Sequence, residues 1–346
     1  MKACVLHGIN DFRYEEINKP TLKTGEVLVR VRAAGICGSD IPRIFTTGTY
    51  HFPTIPGHEF AGEVVEAYDE ENKKFIGQRA AIFPLIPCRS CNSCQKGNYE
   101  LCKNYNYLGS RCDGGFAEYV AVPAWNIAPI PDELSFEEAA MTEPVAVALH
   151  ALRQAKIEIG DTVVIYGPGT IGILIAQWAT AWGASKIMLV GTDNTNYEYL
   201  ASLGFEHFIS FKQQDPTEWV MKHTNGIGAD VAIEAVGAAS TFCNCLETVA
   251  PGGKILAVGN PKGDFVLPKN TYWQLLRKQI SIVGTWNSSF DNSNKNDWLI
   301  SIDAMATGKI AAKKLITHKF PLENIYSGLD IMRNSSEPYK KIIVEI

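Results

Sequence analysis

Three short segments of the 346-residue chain carry side chains that could bind one metal ion. His58 and Glu59 lie in a Pro/Gly turn, Cys37 lies in a glycine-rich turn upstream, and Glu143 directly precedes a proline. A thiolate, an imidazole and a carboxylate suit zinc, and three protein ligands with an open fourth position are typical of a catalytic site. Because a single His–Glu pair is often only a solvated pair, the prediction of a catalytic zinc centre depends on all three segments.

A second metal site is indicated by four cysteines on one short segment. Their spacing is C-x2-C-x2-C-x7-C, and four thiolates so close in sequence can form a tetrahedron around zinc with no open position. The long last gap and the absence of a Cys-Pro ending favour zinc over an iron–sulfur cluster. The sequence therefore predicts a structural zinc site whose ligands are Cys88, Cys91, Cys94 and Cys102.

A glycine-rich loop indicates a dinucleotide cofactor. The apolar run 161–166 is typical of a buried strand, it leads directly into the pattern G-x-G-x-x-G, and helical periodicity follows over 173–182. Glycines at this spacing allow a tight turn and let the backbone approach a pyrophosphate, which then lies at the helix N-terminus. The predicted cofactor-binding residues of the loop are Gly167, Pro168, Gly169, Thr170, Ile171 and Gly172.

The end of the next strand bears on the choice between NAD and NADP. An acidic residue that binds the adenosine ribose is expected there, but Gly191 takes that place, and Thr192 and Asp193 follow it. Without the carboxylate at 191 a 2′-phosphate is admissible, yet no arginine follows to bind one. We expect Thr192 and Asp193 to contact the cofactor, and NAD, NADP or both remain open.

The segments that position these motifs fall into two patterns, as the length of the chain favours. The first third contains short strand-like runs between Gly, Pro and charged turns. From 161 to 283, six strand-like runs alternate with helical segments, a pattern that predicts a parallel, doubly wound α/β sheet. The remaining C-terminal residues leave this pattern, and we expect them to return to the first domain.

Composition and charge exclude several functions. The net charge is −5 and there is no basic run, which argues against a nucleic-acid partner. There is no apolar run long enough for a membrane span and no signal-like N-terminal segment, so we expect a cytoplasmic protein. The nine cysteines are an odd number and several are clustered, which favours metal binding over a disulfide framework.

Taken together, the motifs resemble those of the zinc-dependent medium-chain dehydrogenases. The order of the turn 35–40, the Gly57-His58-Glu59 turn, the four-cysteine loop, the Thr142-Glu143-Pro144 segment and the dinucleotide loop is similar over essentially the whole chain. The segments 37–45, 84–88, 108–119 and 282–287 are most similar to the polyol and polyol-phosphate branch of that family. The resemblance implies a GroES-like β-rich catalytic domain at 1–147 and 286–346, with a Rossmann domain at 148–285 between them.

The resemblance also implies roles for individual residues. Cys37, His58 and Glu143 would be ligands of a catalytic zinc ion, with Glu59 as an alternate or neighbouring ligand, beside the one structural zinc. Zinc would lower the pKa of a substrate hydroxyl, hydride would pass to NAD or NADP, and Ser39 would carry the proton away. Many relatives have a histidine at the position of Pro42, so the proton route must end in water, the cofactor ribose or another side chain such as His51.

The substrate implied is a small molecule, a sugar alcohol phosphate similar to galactitol 1-phosphate, oxidised at a secondary alcohol. Arg43 and Arg111 could grip its phosphate, since arginine binds phosphate bidentately. An unphosphorylated polyol such as sorbitol, a vicinal diol or threonine is the alternative substrate, and a non-catalytic cofactor-binding protein is a more remote alternative. We expect a homodimer or homotetramer, because the apolar run 280–283 is predicted at a sheet edge. Lys341 is predicted to be a solvated charge.

Overall fold

The computed structural model describes residues 1–192, 197–261, 263–291 and 293–346. These residues form two compact units, one comprising Met1–Ala146 with Ser289–Ile346 and the other Val147–Ser288. The strands are β1 Lys2–Gly8, β2 Asp11–Glu16, β3 Glu26–Ile36, β4 Glu59–Ala67, β5 Arg79–Ile82, β6 Leu85–Ile86, β7 Asn106–Tyr107, β8 Tyr119–Pro123, β9 Ile127–Pro129, β10 Thr162–Tyr166, β11 Lys186–Gly191, β12 His207–Ser210, β13 Ala229–Glu234, β14 Val249–Ala257, β15 Ser281–Gly284, β16 Ile316–Pro321 and β17 Lys341–Glu345. The α-helices are α1 Asp40–Pro42, α2 Asn92–Gln95, α3 Phe136–Ala140, α4 Thr142–Ala155, α5 Thr170–Trp182, α6 Tyr197–Ser202, α7 Pro216–His223, α8 Ala239–Thr248, α9 Lys269–Arg277, α10 Asp297–Ala306 and α11 Ile325–Asn334.

The first unit is built on a mostly antiparallel sheet made from both ends of the chain. Its strand order is β16-β17-β3-β4-β5-β9, and β8 also pairs with β3. In the middle of β3, Arg30 and Arg32 are exposed while Val29 and Val31 are buried, because successive side chains of a strand point to opposite faces. The prediction of a GroES-like β-rich domain is confirmed, and the C-terminal strands β16 and β17 belong to its sheet.

The C-terminal strand β17 closes this unit beside the longest strand, β3. The two strands run antiparallel, with Ile342 opposite Ile36 and Val344 opposite Ala34. Ile342, Ile343 and Val344 are fully buried, so the pairing adds apolar burial to the backbone hydrogen bonds. The register places the start of β17 next to the turn that follows β3, where Cys37 lies.

The second unit is a six-stranded parallel sheet in the order β12-β11-β10-β13-β14-β15. The central strand β10 is apolar along its length, as expected for a strand that is buried on both faces. The prediction of a doubly wound sheet is confirmed. In such sheets ligands bind at the carboxyl ends of the strands, and the loop from Gly167 leaves β10 at that end. The strand β15 is the last of the sheet within the described residues.

No α-helix among the described residues is both long enough and apolar enough to cross a lipid bilayer.

Candidate metal and cofactor sites

The four-cysteine loop brings its sulfur atoms to the spacing of a tetrahedral zinc site. The Sγ atoms of Cys91 and Cys94 are 3.6 Å apart, those of Cys91 and Cys102 are 3.9 Å apart, and those of Cys88 and Cys94 are 4.0 Å apart. Zn–S bonds of about 2.3 Å at tetrahedral angles require sulfur separations of about 3.8 Å. The four thiols therefore fit one zinc ion, and they leave no position for a further ligand.

Contacts within the four-cysteine loop and at its base favour the thiolate form and hold the loop in place. A hydrogen bond from the Ser90 hydroxyl and backbone hydrogen bonds lower the pKa of the Cys88 thiol to about 6, which favours the thiolate that binds metal. The guanidinium of Arg89 lies 4.6 Å from the ring centroid of Trp125, and the ring of Tyr99 lies 5.3 Å from it. The loop is therefore attached to the core of the first unit through one tryptophan.

The second group of possible metal ligands comprises Cys37, His58 and Glu59. One donor atom of each lies within 4.8 Å of the donor atoms of the other two. The topology explains the convergence: Cys37 follows the end of β3, Glu59 begins β4, and Gly35 and Glu59 are paired across these antiparallel strands. The structure thus brings together three of the four residues predicted for a catalytic zinc centre.

His58 is oriented by a buried carboxylate and an arginine that were not predicted for this role. Its Nδ1 lies 3.4 Å from Asp40 Oδ1 and 3.3 Å from Arg43 Nη1. Asp40 is fully buried and accepts hydrogen bonds from the Cys37 N–H and from Arg43. Although burial favours the protonated acid, His58 and Arg43 hold the pKa of Asp40 below its usual value. Nδ1 is therefore engaged, and Nε2 is left for the metal.

Glu143, the fourth predicted ligand, lies outside this group and contacts Tyr107. It is in the first turn of α4, and its Oε1 accepts a hydrogen bond of 3.3 Å from the Tyr107 hydroxyl. Burial raises the pKa of Glu143 to about 7. The ring of Tyr107 is 5.8 Å from that of His58. No sequence pattern indicates a role for Tyr107, which is the second residue of the two-residue strand β7.

The prediction that Lys341 is a solvated charge is wrong. Lys341 is only 4% exposed, and its Nζ donates to Glu59 Oε2 at 2.5 Å and to the Ile36 carbonyl at 3.2 Å. The cause is the return of β17 beside β3, which turns its first residue towards the start of β4. Gly35 leaves room for the pair, since a Cβ there would collide with the Glu59 carboxylate. A lysine at the start of an apolar strand was the only hint in the sequence.

Ser39 lies beside the predicted zinc ligands, and His51 is bound elsewhere. The Ser39 hydroxyl donates to Cys37 Sγ at 3.3 Å, immediately before the short helix α1 that contains Pro42. His51 is exposed, and its ring contacts the carbonyls of Pro53 and Arg111. The structure therefore shows no contact between His51 and Ser39 among the described residues.

Arg111 lies between two tyrosine rings. Its guanidinium carbon is 4.1 Å from the ring centroid of Tyr50 and 4.2 Å from that of Tyr105, and its two terminal nitrogens donate to the Tyr50 hydroxyl and the Tyr105 carbonyl. The ring of Tyr105 is in turn 6.1 Å from that of Tyr107, which contacts Glu143. A row of aromatic rings therefore connects this half-buried arginine to the metal-binding group.

The dinucleotide loop has the close approaches that its glycines predict. Gly167 has a φ of +100°, and a Cβ on Gly172 would collide with the Gly167 carbonyl. A Cβ on Gly169, at the N-cap of α5, would meet nothing within 4 Å, so the helix N-terminus is open to an anion. A Cβ on Gly191 would lie 2.8 Å from Pro168 Cγ, which explains why no acidic side chain occupies that position. Thr192 follows, while Asp193 lies outside the described residues.

A buried carboxylate beside this loop was missed by the sequence analysis. Glu234, at the carboxyl end of β13, is 1% exposed and accepts hydrogen bonds from the Val236 and Gly237 N–H groups and from the Thr241 hydroxyl. A Cβ on Gly167 would lie 2.7 Å from Val236 Cγ2, so the segment held by Glu234 packs directly on the dinucleotide loop. Glu234 therefore fixes the segment 236–237, which lies against the dinucleotide loop at the carboxyl ends of the strands.

Comparison with known proteins identifies the family of this chain. The sequence profile of the alcohol dehydrogenase GroES-like domain matches residues 23–132, and that of the zinc-binding dehydrogenase matches residues 170–306. A sorbitol dehydrogenase of Bombyx mori is 34% identical over 353 aligned positions, covering 99% of this chain and 98% of that protein. The chain belongs to the zinc-dependent medium-chain dehydrogenases. The predicted family and enzyme class, an oxidoreductase, are confirmed.

Two further comparisons concern a phosphorylated substrate. Galactitol 1-phosphate 5-dehydrogenase of Escherichia coli strain K12 is 31% identical to this dehydrogenase, covering 99% of this chain and 100% of that protein. The crystal structure of galactitol-1-phosphate dehydrogenase from Escherichia coli matches with a TM-score of 0.91 at 30% identity, covering 100% of both chains.

The cofactors of this dehydrogenase are zinc and a nicotinamide dinucleotide. An Escherichia coli CFT073 alcohol dehydrogenase complexed with NADH matches with a TM-score of 0.91 at 26% identity, covering 100% of this chain and 99% of that one. A Sinorhizobium meliloti 1021 zinc-binding dehydrogenase bound to NADP matches with a TM-score of 0.90 at 29% identity, with the same coverage. The cysteine and histidine donors described above, and the cradle formed by Gly167 and Gly172, fit these groups.

Replacing Cys94 with serine should remove one zinc ion from the protein. The loop would lose one of its four thiolate ligands, so zinc content should fall from about two ions to about one per chain, and the melting temperature should drop. Metal analysis after dialysis and a thermal melt would measure both effects. Cys243→Ser is the control, since Cys243 lies on α8 away from any group of metal ligands among the described residues. Unchanged zinc content in Cys94→Ser would contradict the assignment.

Replacing Glu234 with alanine should weaken cofactor binding. The Val236 and Gly237 N–H groups would lose their acceptor and the segment 236–237 beside Gly167 would loosen, so we expect the Kd for NADH to rise about 10-fold. Glu234→Gln should restore part of the affinity, because its amide oxygen can still accept. Titration by NADH fluorescence would measure the effect, with Glu247→Gln on α8 as the control. Equal affinities for Glu234→Ala and the wild type would contradict this role.

Proposed function

We propose that this dehydrogenase oxidises a secondary alcohol of a sugar alcohol phosphate, similar to galactitol 1-phosphate, to the keto-sugar phosphate, with hydride transfer to NAD or NADP. The observation that carries the proposal is Arg111, a half-buried arginine held between Tyr50 and Tyr105 in the same unit as the group of metal ligands. The similarity to galactitol 1-phosphate 5-dehydrogenase over the whole chain supports it.

The metal centre of this proposal uses Cys37 and His58 as ligands, with carboxylate ligation from Glu59 or Glu143. When bound, zinc polarises a substrate hydroxyl and lowers its pKa, so that hydride can leave the carbon. The grouping of the Cys37, His58 and Glu59 donor atoms supports Glu59 as the third ligand. Glu143, which accepts a hydrogen bond from Tyr107, would then be a fourth ligand or a neighbour of the substrate.

Ser39 begins the route of the substrate proton in this proposal. Its hydroxyl is next to Cys37 Sγ and can pass a proton outwards by donating one hydrogen bond and accepting another. Since Pro42 cannot continue the route and His51 is bound to the Pro53 and Arg111 carbonyls, water or the cofactor ribose would receive the proton.

The cofactor would lie on the dinucleotide loop, with its pyrophosphate at the N-terminus of α5. The residues proposed to bind it are Gly167, Pro168, Gly169, Thr170, Ile171 and Gly172, together with Thr192 and Asp193 at the ribose. The packing of Pro168 against Gly191 keeps a carboxylate away from the place of a 2′-phosphate, so both NAD and NADP are acceptable in this proposal.

We propose different roles for Arg111 and Arg43. Arg111 is half-buried between its two tyrosines and is the proposed phosphate ligand. Arg43 was expected to share that role, but its contacts with Asp40 and His58 and its mostly buried side chain direct it to the metal centre. We propose that Arg43 acts on both phosphorylated and free substrates by orienting His58.

A free polyol is the second candidate substrate. The identity to the Bombyx mori sorbitol dehydrogenase is 34%, slightly higher than the 31% identity to the galactitol phosphate enzyme. Because Arg43 is paired with Asp40, Arg111 alone of the two predicted phosphate ligands remains to bind a phosphate, which also favours an unphosphorylated substrate.

We also propose that the enzyme acts as a homodimer or a homotetramer in the cytoplasm. The strand β15 ends the sheet, and Ile282 on it is 45% exposed. The neighbouring helix α9 exposes Tyr272, Trp273 and Leu276, an apolar face that a second copy would cover. All nine cysteines are free thiols, which supports a reducing compartment.

Replacing Arg111 with alanine should lower the activity on the phosphorylated substrate far more than the activity on the free polyol. A lost charge-assisted contact costs about 1.5–3 kcal/mol, so kcat/KM on galactitol 1-phosphate should fall about 10- to 100-fold while that on galactitol changes little. Arg43→Ala should lower kcat/KM on both substrates alike, and Arg111→Lys, which keeps the charge, should lose less. Nicotinamide reduction on both substrates measures this. A wild type that prefers free polyols would reject the phosphate proposal and favour the second candidate.

Replacing Ile282 with aspartate should separate the subunits. A charge on each copy of β15 would be buried without a partner in a continuous interface, so a monomer should form. Sedimentation velocity would measure the molecular mass, with Ile159→Asp as the control because Ile159 is 85% exposed outside the strands and helices of the same unit. A wild-type monomer, or an assembly unaffected by Ile282→Asp, would reject this interface.

A further inference from the structure

Lys341, the buried partner of Glu59, has no part in the function proposed above. Both side chains are nearly inaccessible, at 5% and 2% exposure. The Lys341 ammonium is held by the Ile36 carbonyl as well as by Glu59 Oε2, so its position is fixed from two sides. Burying a lysine and a glutamate is costly unless each has a partner, which makes an ion pair at the edge of the metal-binding group a feature that needs a reason.

Charge around the centre gives one reason. At formal charge, with Cys37 as a thiolate and His58 neutral, Cys37, Asp40, Glu59 and Glu143 would carry four negative charges, and Arg43 and Lys341 carry two positive charges. The remaining two negative charges match one divalent cation. Without Lys341 the group would carry an excess negative charge even with the cation bound, and Glu59 would have no cation except the metal.

Geometry gives the second reason. Glu59 is one of the three donors that converge, yet one of its two carboxylate oxygens is bound to Lys341. The lysine and a metal ion are therefore competitors for the same carboxylate. A carboxylate that shares its charge between two cations binds each of them more weakly than one that serves a single cation.

We infer that Lys341 is a positioning residue for the catalytic metal centre: by holding Glu59 Oε2, it limits the ligation of zinc by Glu59 and keeps one coordination position free for the substrate. The inference rests on the proposed function, since it takes Cys37, His58 and Glu59 as zinc ligands. It assigns the C-terminal strand a part in substrate access to the metal. It also explains why a buried ammonium is placed where a neutral side chain would be easier to bury.

Lys341→Met tests this inference, because methionine is unbranched, of similar length and uncharged. In the zinc-loaded enzyme Glu59 would be freed to bind the metal fully, so zinc from the Cys37 site should be lost to EDTA about 10-fold more slowly, while kcat falls. Zinc release is followed with a chromogenic chelator, and Cys37→Ser identifies which release phase belongs to this site. In the cobalt-substituted enzyme the visible absorption bands should shift with the change in ligation.

A double-mutant cycle separates this role from a structural one. The effect of Lys341→Met on zinc release should disappear in the Glu59→Gln background, where the amide attracts neither cation strongly. Lys341→Arg, which keeps the charge, should release zinc at a rate near that of the wild type and provides a folded variant if methionine is not tolerated. Lys319→Met is the matched control, since Lys319 forms exposed ion pairs with Glu137 and Glu345 in the same sheet.

The outcomes distinguish this inference from the proposed function. If the wild type binds two zinc ions per chain and Lys341→Met melts at a lower temperature but releases zinc as fast as the wild type or faster, the pair is only structural and the inference is overturned. If Lys341→Met is unfolded, an unchanged release rate in Glu59→Gln overturns it in the same way. If the wild type binds only the zinc of the four-cysteine loop and Cys37→Ser changes nothing, the proposed metal centre fails and the inference fails with it.

Discussion

The antiparallel pairing of β3 with β4 on one side and β17 on the other is the constraint on which the proposed metal centre depends. Strand ends that meet in this way place Cys37, Glu59 and Lys341 beside one another, although they are far apart in sequence. Apart from Glu59 and Lys341, the buried residues of these three strands are apolar, so hydrophobic packing along the strands fixes the position of the polar groups. The ligands themselves contribute charge that destabilises the apo site, and the sheet supplies the rigidity that tolerates it.

In the proposed catalytic centre, neighbouring charged or polar groups hold the predicted zinc ligands in place. Behind His58, Asp40 and Arg43 fix the imidazole; beside Glu59, Lys341 fixes the carboxylate; next to Glu143, Tyr107 supplies a hydroxyl. Each predicted ligand side chain therefore has a hydrogen-bonding partner of its own, since the Ser39 hydroxyl also donates to Cys37 Sγ. Such partners determine ring orientation and ligand basicity, which is why they matter as much for chemistry as the ligands do.

The sequence predicted most of the fold and the first layer of this site. Local signals in the sequence, namely periodicity, glycines and ligand spacing, predict four features. These are the strands of the second unit, the loop after β10, the four-cysteine site and the grouping of Cys37, His58 and Glu59. Contacts made through tertiary register had none. Nothing in the Lys341 or Tyr107 segments shows which strand they will face, and the contact between Arg43 and Asp40 depends on the short turn after Cys37. The glycine at 191, where an acidic residue is expected, is visible in the sequence. The reason for it, the close approach of the Pro168 ring, is a tertiary contact that has no sequence signal.

The order of synthesis has a consequence for this centre. Lys341 follows Glu59 by 282 residues, and the whole second unit is translated between them. While a nascent chain carries Cys37 and His58 but not β17, the edge of β3 that β17 will occupy is unpaired and the Glu59 carboxylate has no ammonium beside it. Metal captured at that stage would meet a more negative and less ordered group of ligands than metal that enters the finished sheet. Completion of the proposed centre therefore has to wait for the synthesis of β17, which follows that of the whole second unit.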